Sequence, residues 1–402
     1  MPIDICDPSV SRSSGEIPLA DYDRIIDVKQ KHQQIADFLQ AHQYDAVILQ
    51  SPHNFSWMTS GGDNSRAGSS ETTASLFITP DARLVATSNV DSARLFEHEI
   101  PGLGFQLKER PWHEPCIGLL EDLCRGRTVA SDTGILRTFD ISAQLHNMRI
   151  PLSSLECERM RDLGKKLAHA VEATARNFQY GQTEAEIAGQ ISHRLIKHRI
   201  IPERIQIRAI KKNPIYPHWT FSNEKVESAV IISAVGRLHG LCVGVSRTVS
   251  FGEPETPILG AHHRAVLMQA TGMFFSKPEW EVFEIWKRLQ RIYEKFGCEN
   301  EWQLADQGHI IGYQTSEIPI VPKSEFRVTP RMPIHWHPSI GPATVGDTIL
   351  VGEEGFELLT PMEEWPRLNV EVKGVVFTRP DILRRSKPIP SPSTLSDSHI
   401  LH

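Results

Sequence analysis

His335 and His337 stand two residues apart in the run PIHWHP. Alternation along a strand sends both imidazoles to the same face. Neutral imidazole binds Zn²⁺ and Fe²⁺, and it titrates near physiological pH, so a pair on one wall can serve as metal ligands or as acid and base. The alternative is that H-W-H packs around Trp336 and Pro338 without an ion. The chain holds 18 histidines, most of them expected at the surface or satisfied in the core, so only a cluster carries meaning. No G-x-S-x-G, G-x-G-x-x-G or P-loop pattern occurs, which removes the serine-hydrolase, dinucleotide and NTP readings.

The elements that must hold these residues follow from periodicity and punctuation. Asp21–His42 has helical spacing, Tyr44–Leu49 is a buried strand, and Leu76–Pro80 and Arg83–Ala86 are further strands. This alternation describes a small α/β domain over residues 19–150, after a polar stretch, 1–18, expected to be disordered. Near Pro151 the pattern changes. Ser153 opens a long helix through Phe178, and the T-x-x-E of Thr183–Glu186 opens a second. Strands are expected at Val230–Ala234, Cys242–Phe251, Pro333–His337 and Thr348–Val351, with a helix over Glu279–Phe296. Residues 151–380 thus form an α+β domain, and 381–402, rich in Pro and Ser, a disordered tail.

A net charge of −6 without a basic cluster argues against nucleic acid as partner, and no apolar run is long enough to cross a membrane. The N-terminus lacks the features of a secretory signal, and six scattered cysteines form no framework. A cytoplasmic protein with reduced thiols is the expectation.

Five patterns in order resemble the pita-bread superfamily of Xaa-Pro peptidases, methionine aminopeptidases and creatinases. They are LECERMRDLGKKLAHAVEA, GQTEAEIAGQI, SRTVSFGEP, GHIIGYQTSE and EEGFELLT; SPHNFSWMTSGGDN resembles the creatinase-type N-terminal domain. The resemblance implies a C-terminal pita-bread domain behind a smaller α/β domain, a homodimer, and a pocket for a small molecule or short peptide. It also implies two divalent metals held by two Asp, one His and two Glu. Along the motifs those positions fall on Ser233, Gly244, His309, His337 and Gly346. One ligand survives and all four carboxylates are absent, so no dinuclear centre is expected.

The same resemblance brings His309 towards His335 and His337, which together suit a single Zn or Fe ion. It places His218 where creatinase has its acid/base histidine, and Glu317 beside the pocket as a partner of His309 or a base. The creatinase glutamates are replaced by Ala270 and Gly346, so that chemistry is incomplete too. The resulting expectation is a hydrolase or lyase of a small polar nitrogen-containing molecule, working through histidine with His218, His309 and Glu317 as catalytic groups. The alternatives are a non-catalytic pseudopeptidase that binds a peptide, small molecule or protein, and an Xaa-Pro aminopeptidase.

Overall fold

The structure, a computed structural model, describes residues 21–66, 69, 71–210 and 219–388. The chain divides into two compact units, Met1–Arg149 and Ile150–His402. Residues 1–18, expected to be disordered, lie outside the described residues.

In the first unit α1 (Tyr22–His42) starts where the Asp21 side chain accepts the Arg24 N–H. It precedes β1 (Ala46–Leu49), α2 (Pro52–Met58), β2 (Ala74–Ile78), β3 (Arg83–Ser88), the short α3 (Ser92–Arg94) and β4 (Gln106–Arg110). Then come α4 (Ile117–Cys124), β5 (Val129–Ser131), β6 (Phe139–Asp140) and α5 (Ser142–Arg149). The strands form one six-stranded sheet in the order β4-β3-β2-β1-β5-β6. Pairing is antiparallel at β1–β2 and β2–β3 and parallel elsewhere.

The second unit opens with α6 (Ser154–Asn177) and α7 (Glu184–Lys197). Both carry complete capping boxes, Ser153 with Glu156 and Thr183 with Glu186, which satisfy the first orphan N–H groups of each helix. Three antiparallel strands follow, β7 (Ile201–Ala209), β8 (Ala229–Leu238) and β9 (Leu241–Phe251). The β8–β9 hairpin turns on His239 and Gly240, at φ +52° and +76°. Two successive positive φ values define a type I′ turn, which matches strand twist.

Next come α8 (Thr256–Phe275) and α9 (Val282–Lys295), β10 (Gly308–Ile310), β11 (Ile318–Pro319) and β12 (Pro333–Trp336). The hairpin of β13 (Ser339–Ile340) and β14 (Ala343–Thr344) leads into β15 (Asp347–Val351) and β16 (Phe356–Leu358). A second hairpin, β17 (Arg367–Val372) with β18 (Val375–Pro380), precedes β19 (Leu383–Arg385). Residues Leu383–Arg385, expected to begin a disordered tail, instead pair parallel with Val249–Phe251 of β9. Residues 389–402 lie outside the described residues.

This unit has two main sheets, β19-β9-β8-β7 and β11-β10-β12-β15-β16. They meet where Ser246 donates its backbone N–H to the Gly346 carbonyl at 2.8 Å. Behind that junction lies a buried charge network. Arg247 donates from Nε to Glu172 of α6 at 2.8 Å and from Nη1 to Asp347 of β15 at 2.9 Å. Arg379 of β18 pairs with the other oxygen of Asp347, and its Nε reaches Gln269 of α8 at 3.0 Å. Thr360 donates to Asp347 at 2.8 Å. All four charged residues are at most 2% exposed. Two carboxylates and two guanidiniums balance, which is what makes such burial tolerable.

Removing one member leaves the others buried without compensation. Arg247→Met is expected to lower unfolding free energy by about 3–5 kcal/mol, read by urea denaturation. A loss below about 1 kcal/mol, the range of an exposed pair, would show that the network does not hold the sheets together.

Candidate functional site

Strand register sorts the residues of this region onto two faces. His309 of β10 lies opposite His335 of β12, and His335 lies opposite Thr348 of β15, so these three project from one face. One residue along, Gly308 lies opposite Trp336, and Trp336 opposite Asp347. That second face turns into the core.

Trp336 is fully buried in a slot between two glycines. A Cβ on Gly272 of α8 would come within 2.7 Å of the indole, and one on Gly308 within 2.8 Å. Its Nε1–H donates to Ser276 Oγ at 3.1 Å. Trp336 thus packs into the core, while the flanking histidines point away from it. The strand ends at Trp336, one residue earlier than expected, because His337 turns to donate its N–H to the Gln307 carbonyl.

The three imidazoles converge. Ring centroids are 4.7 Å apart for His309 and His337, 4.9 Å for His335 and His337, and 5.5 Å for His309 and His335. Asp306, in the loop before β10, joins two of them. Its Oδ2 is 3.4 Å from His309 Nδ1 and 3.5 Å from His337 Nε2, and those nitrogens are 3.0 Å apart. Donors of a tetrahedral zinc site, each about 2.0–2.2 Å from the ion, lie about 3.3–3.5 Å from one another. The Asp306–His309–His337 triangle has that size. His309 is 2% exposed, and its Nε2 is buried without a protein partner.

His335 has a different setting. Thr348 Oγ1 donates to the Gly244 carbonyl at 2.8 Å, which uses its one proton. It therefore accepts from Gly244 N–H at 3.1 Å and from His335 Nδ1 at 3.2 Å. This fixes His335 as the Nδ1–H tautomer, with the lone pair on Nε2. Burial first, then the neighbouring His337 and His309, hold its pKa well below the ordinary histidine value, so the ring is neutral.

His335 also explains Gly244. A Cβ on that residue would lie 2.6 Å from His335 Nε2 and 2.7 Å from Cε1. The imidazole thus fills the volume where a side chain at position 244 would begin. Gly346 is similarly closed, since its Cβ would lie 2.6 Å from Ser246 Oγ. That hydroxyl is hydrogen-bonded to Ser233 Oγ across β8 and β9. Ser233, Gly244, His309, His337 and Gly346 are brought to one region, but neither glycine position has space for a carboxylate. A cavity of about 30 Å³ opens beside them. Asp306 is the one acid among its described lining residues, which include Arg204, Gln206, Trp219, His335 and His337. Two dications bridged by carboxylates do not fit this donor set.

The remaining sequence candidates fall elsewhere. Glu317 accepts the Gln314 N–H at 3.1 Å within its own loop and is not among the cavity residues. His218 lies outside the described residues. Asp306 was missed by sequence reading; its spacing of three before His309 was the available signal.

Residues 158–357 match the model of metallopeptidase family M24. The chain is 23% identical over 306 residues to the Xaa-Pro dipeptidase of Lactobacillus helveticus, covering 68% of this chain and 81% of that protein. Its fold is similar to that of the prolidase from Pyrococcus horikoshii OT3, with a TM-score of 0.70 at 18% identity over 83% of this chain and 99% of that one. Residues 158–357 therefore form a pita-bread domain of that family. This pita-bread protein is also similar to the N-terminal domain of the FACT complex subunit SPT16 from Cicer arietinum, at TM-score 0.64 and 12% identity. That match covers 86% of this chain and 97% of the other. Among the described residues, no helix is long and apolar enough to cross a membrane.

Gly244→Asp tests the occupied volume. The new carboxylate must displace His335, so an overpacking cost of about 1–3 kcal/mol is expected, seen as a lower thermal midpoint with no added metal capacity. A stable variant that binds two ions per chain would contradict this packing.

Proposed function

We propose that this pita-bread protein is a hydrolase-type enzyme for a small polar nitrogen-containing molecule, working without a dinuclear metal centre. It would use one divalent transition ion held by Asp306, His309 and His337. The observation that carries the reading is the triangle of Asp306 Oδ2, His309 Nδ1 and His337 Nε2 at the edge of a polar cavity. Two imidazoles and one carboxylate suit Zn²⁺ or Fe²⁺ and leave coordination positions open. When bound, such an ion supplies Lewis-acid polarisation of a substrate oxygen.

The protein's own groups set up proton movement. His335 is kept neutral, its Nδ1–H is committed to Thr348, and its Nε2 lone pair faces the β9 wall beside the cavity. An imidazole in that state offers a hydrogen-bond acceptor at Nε2, and its lowered pKa makes it release any proton it takes up. Ser233 and Ser246 line the same cavity with hydroxyls rather than charges. A compact space of about 30 Å³ favours a small substrate group over a clamped dipeptide.

A second reading, a non-catalytic protein that binds a ligand in this cavity, is favoured by the same small volume.

Elemental analysis of the purified full chain separates the two. One zinc or iron per chain is expected, with affinity lowered at least about tenfold in Asp306→Asn and His337→Ala. No turnover of Xaa-Pro dipeptides is expected with added Mn²⁺, Co²⁺ or Zn²⁺. Protein that takes up no Zn²⁺ after chelation and repletion would sink the single-ion reading and leave the binding one. Chelator-sensitive turnover of Xaa-Pro dipeptides would overturn both.

A further inference from the structure

Strand β7 carries two cations that no carboxylate touches among the described residues. Arg204, Gln206 and Arg208 alternate along it and share a face. Gln206 lies opposite Ser233 of β8, and Arg204 and Gln206 both line the cavity beside the histidine cluster. The Arg204 Nε is buried without a hydrogen-bond partner. Arg208 donates from Nη2 to the Pro342 carbonyl at 2.9 Å, while its Nε and Nη1 are buried without partners. Its guanidinium lies 4.5 Å from the centroid of the Trp219 ring. Trp219, whose carbonyl accepts from Gln206 Nε2 at 2.9 Å, lines the same cavity, and its own Nε1–H is likewise buried and unpaired.

Four donor atoms on three neighbouring residues are thus withdrawn from water and given nothing in return. Burying a hydrogen-bond donor without a partner costs about 1–3 kcal/mol, and native proteins pair such groups. The nearby acids do not answer the need. Glu184 is engaged by Ala209 N–H, Ser222 N–H and the Ser222 hydroxyl. Asp306 attracts Arg204 through space but makes its close contacts with His309 and His337.

We propose that Arg204 and Trp219, backed by the charge of Arg208, bind the carboxylate group of a small ligand in this cavity. A guanidinium fork matches a planar carboxylate with two parallel hydrogen bonds, and an indole N–H is donor only. About 30 Å³ accommodates a headgroup of roughly carboxylate size. The inference deepens the reading of the same site by naming the substrate's class. It rests on that reading for turnover, although binding can be measured separately.

The test uses the full chain with sodium acetate and sodium propionate as probes, against chloride at equal ionic strength, with and without chelator treatment. Thermal unfolding and calorimetric titration are read for the native protein and for Arg204→Met, which keeps the apolar stem. The carboxylates are expected to raise the native midpoint and to bind Arg204→Met at least about tenfold more weakly. Without ligand, Arg204→Met is expected to be as stable as the native chain or more so, because an unpaired cation has been removed. A purely structural arginine would move stability the other way.

Equal carboxylate effects on both proteins, no effect on the native one, or a destabilised ligand-free Arg204→Met would overturn the proposal. So would protection by inorganic phosphate alone. A carboxylate response that persists in protein unable to bind Zn²⁺ supports this inference while the single-ion reading fails. Metal uptake without any carboxylate response does the reverse.

Discussion

The ion pair between Arg247 and Asp347 is the constraint from which the rest of the second unit follows. It joins β9 to β15, strands of different sheets, and each partner is held by a further charge, Glu172 on α6 and Arg379 on β18. Successive residues of a strand face opposite ways. Fixing Arg247 and Asp347 inward therefore fixes Ser246 and Gly346 outward, at the junction where the two backbones hydrogen-bond. The site inherits its geometry from a network that takes no part in its chemistry. Gln269 extends the same control by linking Asp347 and Arg379 to the Trp336 carbonyl.

Trp336 plays the corresponding part for the histidines. An indole wedged between Gly272 and Gly308 cannot rotate without moving a helix or a strand. Its neighbours, His335 within the strand and His337 just past its end, flank this rigid mount, and a rigid mount holds ligand atoms to narrow tolerances. His337 lies just past the end of β12, and Asp306 comes from the loop before β10. Its position is supported by the neighbouring Gln307, whose carbonyl accepts from His337 and whose side-chain oxygen accepts from Tyr293.

The sequence made the long capped helices and the central hairpin legible because capping boxes and alternation act over a few residues. α8 carried little such signal: it is apolar on nearly every side, buried among other elements, and so lacks the periodic stripe that marks a surface helix. The alternation of His335 and His337 could be read directly, and the convergence with His309 followed from resemblance to a fold. The role of Asp306 could not be read, since a lone acid before a strand looks like a solvated loop residue. Nor could the fit of His335 against Gly244, which depends on contact between residues about ninety positions apart on different sheets.

That fit has a historical consequence. Position 244 can hold a side chain only after the imidazole has left position 335, and losing that imidazole first leaves a void beside a bare backbone. Either change alone is harmful until the other has occurred. The two residues form a ratchet: with both in place, selection acting on one residue at a time has no easy route to a side chain at position 244. Whatever chemistry the descendants of this chain acquire must be built around the imidazole.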